Sequence, residues 1–226
     1  MCGRFTQSFP SPEFLAQQFR LDDWPRELMQ RYNLAPTQHV FAIVDREFLD
    51  GRVRRQLLFM KWGLVPFWAK GPAIGSMMIN ARAETLLEKP AFKRLVARQR
   101  CVIPADSFYE WQRPKEPLRI HLDERPAFGF AGLYDHWHAP NGDTWTSCTI
   151  ITCAPNDFMA AIHRRMPVIL DSAAVELWLD PTITESEVVT AVLRPTADPM
   201  RAYRVHPEVG NVRNDTIEWS MEYHPS

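Results

Sequence analysis

Two long apolar runs, Ala127 to His138 and Thr144 to Ala154, are separated by a short polar stretch that contains Asn141-Gly142. Asn-Gly readily takes the positive-φ conformations that reverse a chain between paired strands, so the two runs are expected to form one long antiparallel hairpin. Just ahead of it, Leu118, Ile120 and Leu122 alternate with Arg119 and His121, the period of two that marks a half-buried strand. Val40 to Val44 and Leu57 to Trp62 flank Asp50-Gly51 as a second hairpin, and Cys101 to Ile103, Phe108 to Trp111 and Met200 to Val205 are further runs of strand length. Helices fall between these strands. Ser11-Pro12-Glu13 caps a first helix, Phe92, Leu95 and Val96 share the apolar face of a second with Arg94, Arg98 and Arg100 along another side, and Asp171 precedes a third over Ser172 to Leu179. Pro155 to Ile162 reads as a short helix, and Thr184-Glu185-Ser186-Glu187 as the capping box of a last one. Arg31 to Gln38 and Gly63 to Gly75 show no period and are expected to be loops, the second displaying Phe67 and Trp68. The expected class is α+β: one domain over residues 1–226, with largely antiparallel sheets curled into a barrel-like core and peripheral helices.

No run approaches the ~18 apolar residues of a membrane span, and the N-terminus lacks the basic-then-apolar layout of a signal peptide. A cytoplasmic protein without membrane contact is expected. Its four cysteines, Cys2, Cys101, Cys148 and Cys153, then read as free thiols. His136 and His138 fall on one face of the long hairpin near Cys148, which raises a zinc site, but Cys148 and Cys153 are five apart and face opposite sides of a regular strand. No metal and no cofactor are expected. The net charge of −1 does not advertise nucleic-acid binding, so a phosphate-binding surface would have to be a local patch. Arginine supplies 21 of the 26 basic residues, a bias that suits forked phosphate contacts.

The chemistry starts at Met1-Cys2-Gly3-Arg4. Loss of Met1 leaves Cys2 with a free amine and a free thiol on adjacent carbons, a 1,2-aminothiol. Such a pair reacts with aldehydes: the amine condenses to a Schiff base and the tethered thiol closes a thiazolidine ring. The alternative is a chance cysteine in a loosely ordered terminus. Glu110 lies between Tyr109 and Trp111; on a strand it points either outward to solvent or inward, where desolvation would raise its pKa toward proton-transfer duty. His163, followed by Arg164 and Arg165 and stopped by Pro167, is either a helix-terminal cation or an acid–base group beside a phosphate site.

Met-Cys-Gly-Arg at the start, Asn80-Ala81-Arg82-Ala83-Glu84-Thr85, Pro104 to Trp111 and Ile162 to Pro167 resemble, in order and spacing, the SOS-response-associated peptidase family of abasic-site-processing proteins. Tyr32-Asn33-Leu34-Ala35-Pro36-Thr37 and Pro66-Phe67-Trp68 extend the resemblance over nearly the whole chain. It implies Cys2, Asn80, Glu110 and His163 as catalytic residues, and as substrate single-stranded DNA bearing an abasic site, with the protein nucleoid-associated when bound. On this reading Cys2 captures the ring-opened sugar aldehyde, with associated lyase activity and autoproteolytic loss of Met1, and the adduct shields the lesion during the DNA damage response. Arg4, Arg82 and Arg165 flank the motifs and are expected to contact phosphates, with Trp68 and Trp111 stacking on unpaired bases. Arg164 departs from the acidic residue of the family's histidine motif, which alters the local charge. The rival readings are a thiol peptidase acting mainly on its own precursor, and a non-catalytic single-stranded DNA-binding module.

Overall fold

The computed structural model describes residues 2–112 and 116–224. Met1, whose removal the aminothiol chemistry requires, lies outside the described residues. In chain order the elements are β1 (Phe5–Gln7), α1 (Pro12–Phe19), β2 (Arg31–Leu34), β3 (His39–Glu47), β4 (Val53–Trp62), β5 (Asn80–Arg82), α2 (Pro90–Arg98), β6 (Arg100–Ala105), β7 (Ser107–Gln112), β8 (Glu116–Leu122), β9 (Phe128–His138), β10 (Thr144–Cys153), α3 (Asp157–Ala160), β11 (Met166–Pro167), β12 (Ile169–Leu170), α4 (Ser172–Leu179), α5 (Ser186–Thr190) and β13 (Met200–Arg204).

Strands β10, β4, β3, β6 and β9 hydrogen-bond in that order, and β9 pairs back onto β10, which closes a five-stranded barrel. A second sheet, β13-β8-β7-β1-β2, is antiparallel throughout. The α+β class and the curled, mostly antiparallel sheets are as the alternation and the Asn-Gly turn indicated. The long hairpin runs in unbroken register from Thr144 opposite His138 to Ile150 opposite Gly132. Two parallel pairings depart from the antiparallel rule, because β4 and β5 meet the same edge of β10 one after the other. The chain leaves β4 at Gly63, makes an excursion, and returns as β5 with Asn80 opposite Ile150. The excursion is possible because Gly63 and Gly75 cross with their backbones touching: a Cβ on Gly63, whose φ is +124°, would lie 2.6 Å from the Gly75 carbonyl oxygen.

Aromatic rings join the second sheet to the barrel. Phe5 of β1 meets Trp62 edge-on at 5.0 Å and Phe130 at 5.7 Å, and Phe108 of β7 meets Phe130 at 6.1 Å. All four side chains are buried, so the strand that follows Cys2 is fixed by the core rather than left to fray. The helices lie outside: α1 starts at the Ser11 cap, α3 at Asn156 and α4 at Asp171, each accepting from a backbone N–H three residues on.

Three expectations change. Arg31 to Leu34 is a strand rather than a loop; Asp215 accepts from the backbone N–H groups of Tyr32 and Asn33, a tertiary clasp that local sequence does not display. Arg100 does not line α2 but opens β6 in the interior, where its guanidinium donates to the carbonyls of Val96, Ala97, Trp178, Asp180 and Ile183. The helix after Thr184 is only Ser186–Thr190, and Thr184 makes no side-chain cap.

Candidate active site

Cys2 is buried where the two sheets meet. Phe5 pairs with Phe108 and the Tyr109 N–H donates to the Arg4 carbonyl at 2.9 Å, so the antiparallel register carries Glu110 alongside the residues just after Cys2. From the barrel side, Asn80 at the start of β5 donates its side-chain Nδ2 to the Cys2 carbonyl at 2.9 Å. Burial raises the Cys2 thiol far above the ordinary thiol range, and the nearby Glu110 carboxylate adds to the shift. Glu110 is itself 4% exposed, and desolvation raises its carboxyl above the usual carboxylate value, opposed in part by His163. Strand β7 therefore turns Glu110 inward, resolving the choice that its aromatic neighbours left open.

His163 follows α3, and its Nδ1 faces the Arg165 backbone, 3.1 Å from the N–H and 3.0 Å from the carbonyl oxygen, which fixes the ring in place. Arg165 reaches back to β5 and β10. Its two terminal nitrogens donate to the Glu84 carboxylate at 2.7 and 3.0 Å, and one also donates to the Thr152 carbonyl at 2.6 Å. Those forked bonds hold the Glu84 carboxyl below its usual range. Two buried polar atoms here, Asn80 Oδ1 and Arg165 Nε, have no hydrogen-bond partner among the described residues. Cys2, Asn80, Glu110 and His163, drawn from four separate segments, are thus brought together.

The residues expected to hold DNA are placed less uniformly. Arg82 is exposed beside the site, Arg164 is exposed, and Trp68 is 51% exposed on its loop. That loop is anchored: Asp135, buried, accepts from the Phe67 N–H at 2.9 Å, and the Arg94 guanidinium lies 4.2 Å from the centre of the Phe67 ring. Trp111 is half-buried with the Arg4 guanidinium 5.9 Å from its ring. Arg4 donates to Asn33 Oδ1 at 2.7 Å and to the carbonyls of Val209 and Gly210, both at 2.9 Å. Asn33, Glu84 and Thr152 support the site without having been singled out as site residues; Asn33 and Glu84 stand in the motifs that carry the resemblance. At the considered zinc position, His136 and His138 pair with Thr146 and Thr144 through their Nδ1 atoms, while Cys148 is buried. Among the described residues no group of three or more His, Cys, Asp or Glu is placed to hold a metal ion.

Residues 1–212 match the family model described as SOS response associated peptidase, SRAP. The chain belongs to the SRAP family. Within SRAP proteins, it is 44% identical to "Abasic site processing protein YoqW" of Bacillus subtilis (strain 168) over 225 residues, covering 96% of this chain and 98% of that one. It is 33% identical to "Abasic site processing protein HMCES" of Gallus gallus, covering 87% of this chain and 68% of that protein. A crystal structure of a protein from Bacteroides thetaiotaomicron superposes with a TM-score of 0.78 at 26% identity, covering 90% of this chain and 93% of that one. No helix of the described residues is long and apolar enough to cross a membrane.

Proposed function

We propose that this SRAP protein processes abasic sites by covalent capture, with the Cys2 aminothiol attacking the ring-opened sugar aldehyde in single-stranded DNA after Met1 is removed. The observation that carries the reading is the placement of Cys2 between Asn80, which bonds its carbonyl, and Glu110, whose charge is felt by the thiol. The names of the relatives, abasic site processing proteins, support the same substrate.

The residues divide the chemistry as follows. The Cys2 amine adds to the aldehyde carbon to give a carbinolamine. Glu110, whose raised pKa lets it carry a proton closer to neutral pH than an ordinary carboxyl, protonates the hydroxyl, which leaves as water and generates the iminium ion. The thiol, kept protonated by burial, then adds to the iminium carbon; its proton passes to the Glu110 carboxylate and the C=N electron pair returns to nitrogen. One water is released and Glu110 is restored. Asn80 Oδ1 accepts from the reacting amine or a sugar hydroxyl, and the His163 ring serves the sugar hydroxyl. Arg82 and Arg165 contact phosphates beside the site, Arg4 lies at their edge, and Trp68 and Trp111 offer ring faces to unpaired bases.

Intact-mass measurement tests this directly. Protein lacking Met1, mixed with single-stranded DNA bearing one abasic site, should gain the mass of the DNA less one water and resist sodium dodecyl sulfate. The same strand with an intact base should give no adduct. An unchanged protein mass with abasic DNA would overturn the reading.

A further inference from the structure

β2 is the edge strand of the second sheet and lies against β1, the strand that follows Cys2, while β7 with Glu110 flanks β1 on the other side. Its pairing is not regular. Phe5 stands opposite Leu34 and Gln7 opposite Arg31, so two residues of β2, Tyr32 and Asn33, face the single residue Thr6 across the ladder. That two-against-one count is a β-bulge, which bends the strand and re-aims the side chains it carries. In a regular strand successive N–H groups point to opposite edges. Here the Tyr32 and Asn33 N–H groups both donate to one oxygen of Asp215, at 2.6 and 2.8 Å, and the other oxygen accepts from Arg31 Nε. One carboxylate therefore holds the bulge at three consecutive residues.

The bulge is connected to both reacting residues. Asn33 is fully buried; its Oδ1 accepts from Arg4 at 2.7 Å, and Arg4 is two residues after Cys2. Tyr109, also fully buried, reaches the same place from β7: its backbone N–H donates to the Arg4 carbonyl at 2.9 Å and its phenol to the Tyr32 carbonyl at 2.8 Å. Glu110 is the next residue. Two hydrogen bonds thus separate the Asp215 carboxylate from Arg4, through Asn33. From the barrel side Asn80 fixes one point, the Cys2 carbonyl. A second point, at Arg4, sets the direction in which Cys2 projects, and the bulge supplies it. The Asp215 side chain is 19% exposed, so altering it opens no cavity in the core.

We propose that Asp215 is a positioning residue for the capture reaction: by holding the β2 bulge in place it sets where Cys2 stands relative to Glu110. The proposal rests on the capture reading for the reaction that it serves. Asp215 takes no part in the chemistry itself and acts through Asn33 and Arg4.

The test compares Asp215→Asn with Asp215→Glu, in protein whose loss of Met1 is verified by intact mass. Asparagine keeps the length of the side chain and the oxygen that accepts both N–H groups, whereas glutamate keeps the charge but carries its oxygens one methylene further out. With an abasic single strand at saturation, Asp215→Glu should slow adduct formation about 10- to 100-fold, the scale of a misplacement of about 1 Å at the reacting centre, and Asp215→Asn should keep most of the parent rate. Affinity for the same strand with an intact base should be unchanged in both, so the loss falls on the rate at saturation and not on binding. Adding Arg4→Ala to Asp215→Glu should leave capture about as slow as in the slower single variant, because both act through one connection. Parent-rate capture in Asp215→Glu, a loss as deep in Asp215→Asn as in Asp215→Glu, a loss matched by weaker strand binding, or losses that multiply in the double variant would each overturn the proposal. The two readings fail separately: no adduct from the parent protein removes the capture reading, whereas a parent adduct with full-rate Asp215→Glu removes only the positioning role.

Discussion

The Arg4 guanidinium donates to Asn33 Oδ1 at 2.7 Å, and Asn33 in turn donates through Nδ2 to the carbonyls of Val209, Asn211 and Asn214. Two residues after Cys2, the N-terminal strand is thereby tied to the end of the chain. Arg4 spends its donors on this tie, so its first effect is on where Cys2 stands, and a phosphate would meet only its outer edge.

Arg4→Ala is expected to slow adduct formation at saturating DNA more than it weakens binding, and to leave the salt dependence of binding close to that of the parent. Arg82→Ala is the contrast: on the proposed reading, removing this exposed guanidinium should lower affinity for every sequence alike and reduce the slope of log K against log salt by about 0.7 for a single strand. Fluorescence-anisotropy titrations over a salt series, run beside single-turnover adduct assays, separate the two. A salt slope reduced by about 0.7 in Arg4→Ala as well would make Arg4 a phosphate ligand instead.

A phosphate would reach Arg165 only in competition with Glu84, whose carboxylate occupies both ends of its fork. The carboxylate stands where a phosphate would be held, and it keeps its charge to lower pH than an ordinary Glu. Glu84→Gln should therefore raise single-strand affinity severalfold and steepen the salt slope, whereas Arg165→Ala should lower both. Lower affinity in Glu84→Gln would mean that the pair holds Arg165 in its DNA-binding position rather than shielding it.

How much of this was legible in the sequence depends on whether the cause was local. The β9–β10 hairpin could be read because alternation and Asn141-Gly142 act within a few residues, and α1, α3 and α4 because helix starts are short-range chemistry. β2 was missed because its partners, and the Asp215 clasp that orders it, lie far along the chain. Arg100 looked like a helix surface residue because the five carbonyls it serves come from α2, α4 and the segment after α4. The same limit applies at the site. Motif resemblance named Cys2, Asn80, Glu110 and His163, but neither the inward turn of Glu110 nor the engagement of Arg165 by Glu84 follows from spacing, because each depends on tertiary packing.

Glu110→Gln preserves shape and removes proton transfer, so adduct formation should slow by about 10²–10⁴-fold with binding retained. The pH dependence has a definite sign. In the parent, the proton-bearing form of Glu110 is lost as pH rises through its raised pKa, which gives the rate of the dehydration step an alkaline limb that Glu110→Gln should lack. Stability follows the same group: between the ordinary Glu pKa and the raised one, the folded state keeps a proton that the unfolded chain gives up, so stability falls as pH rises through that window. The glutamine variant should lose that decline in a series of denaturant melts. Equal losses of rate and binding with a lower melting temperature would instead mark Glu110 as a structural residue.

Cys2→Ala separates the two halves of the capture chemistry. Alanine still permits removal of Met1 and leaves a free amine, but it cannot close the ring, so the Schiff base should stand alone. An imine at the sugar carbon acidifies the neighbouring C–H, and loss of that proton expels the 3′ phosphate by β-elimination. The variant should therefore nick abasic DNA and give a stable adduct only when borohydride reduces the imine. Chelator should not change the result in either protein, because no step calls on a metal ion. The complementary change is an extra residue left ahead of Cys2, which converts its amine to an amide. That protein should bind single strands normally yet form neither the thiazolidine nor the borohydride-trapped species. A heat-stable adduct from the extended protein would assign the nucleophile to another group and remove the Cys2 aminothiol from the mechanism.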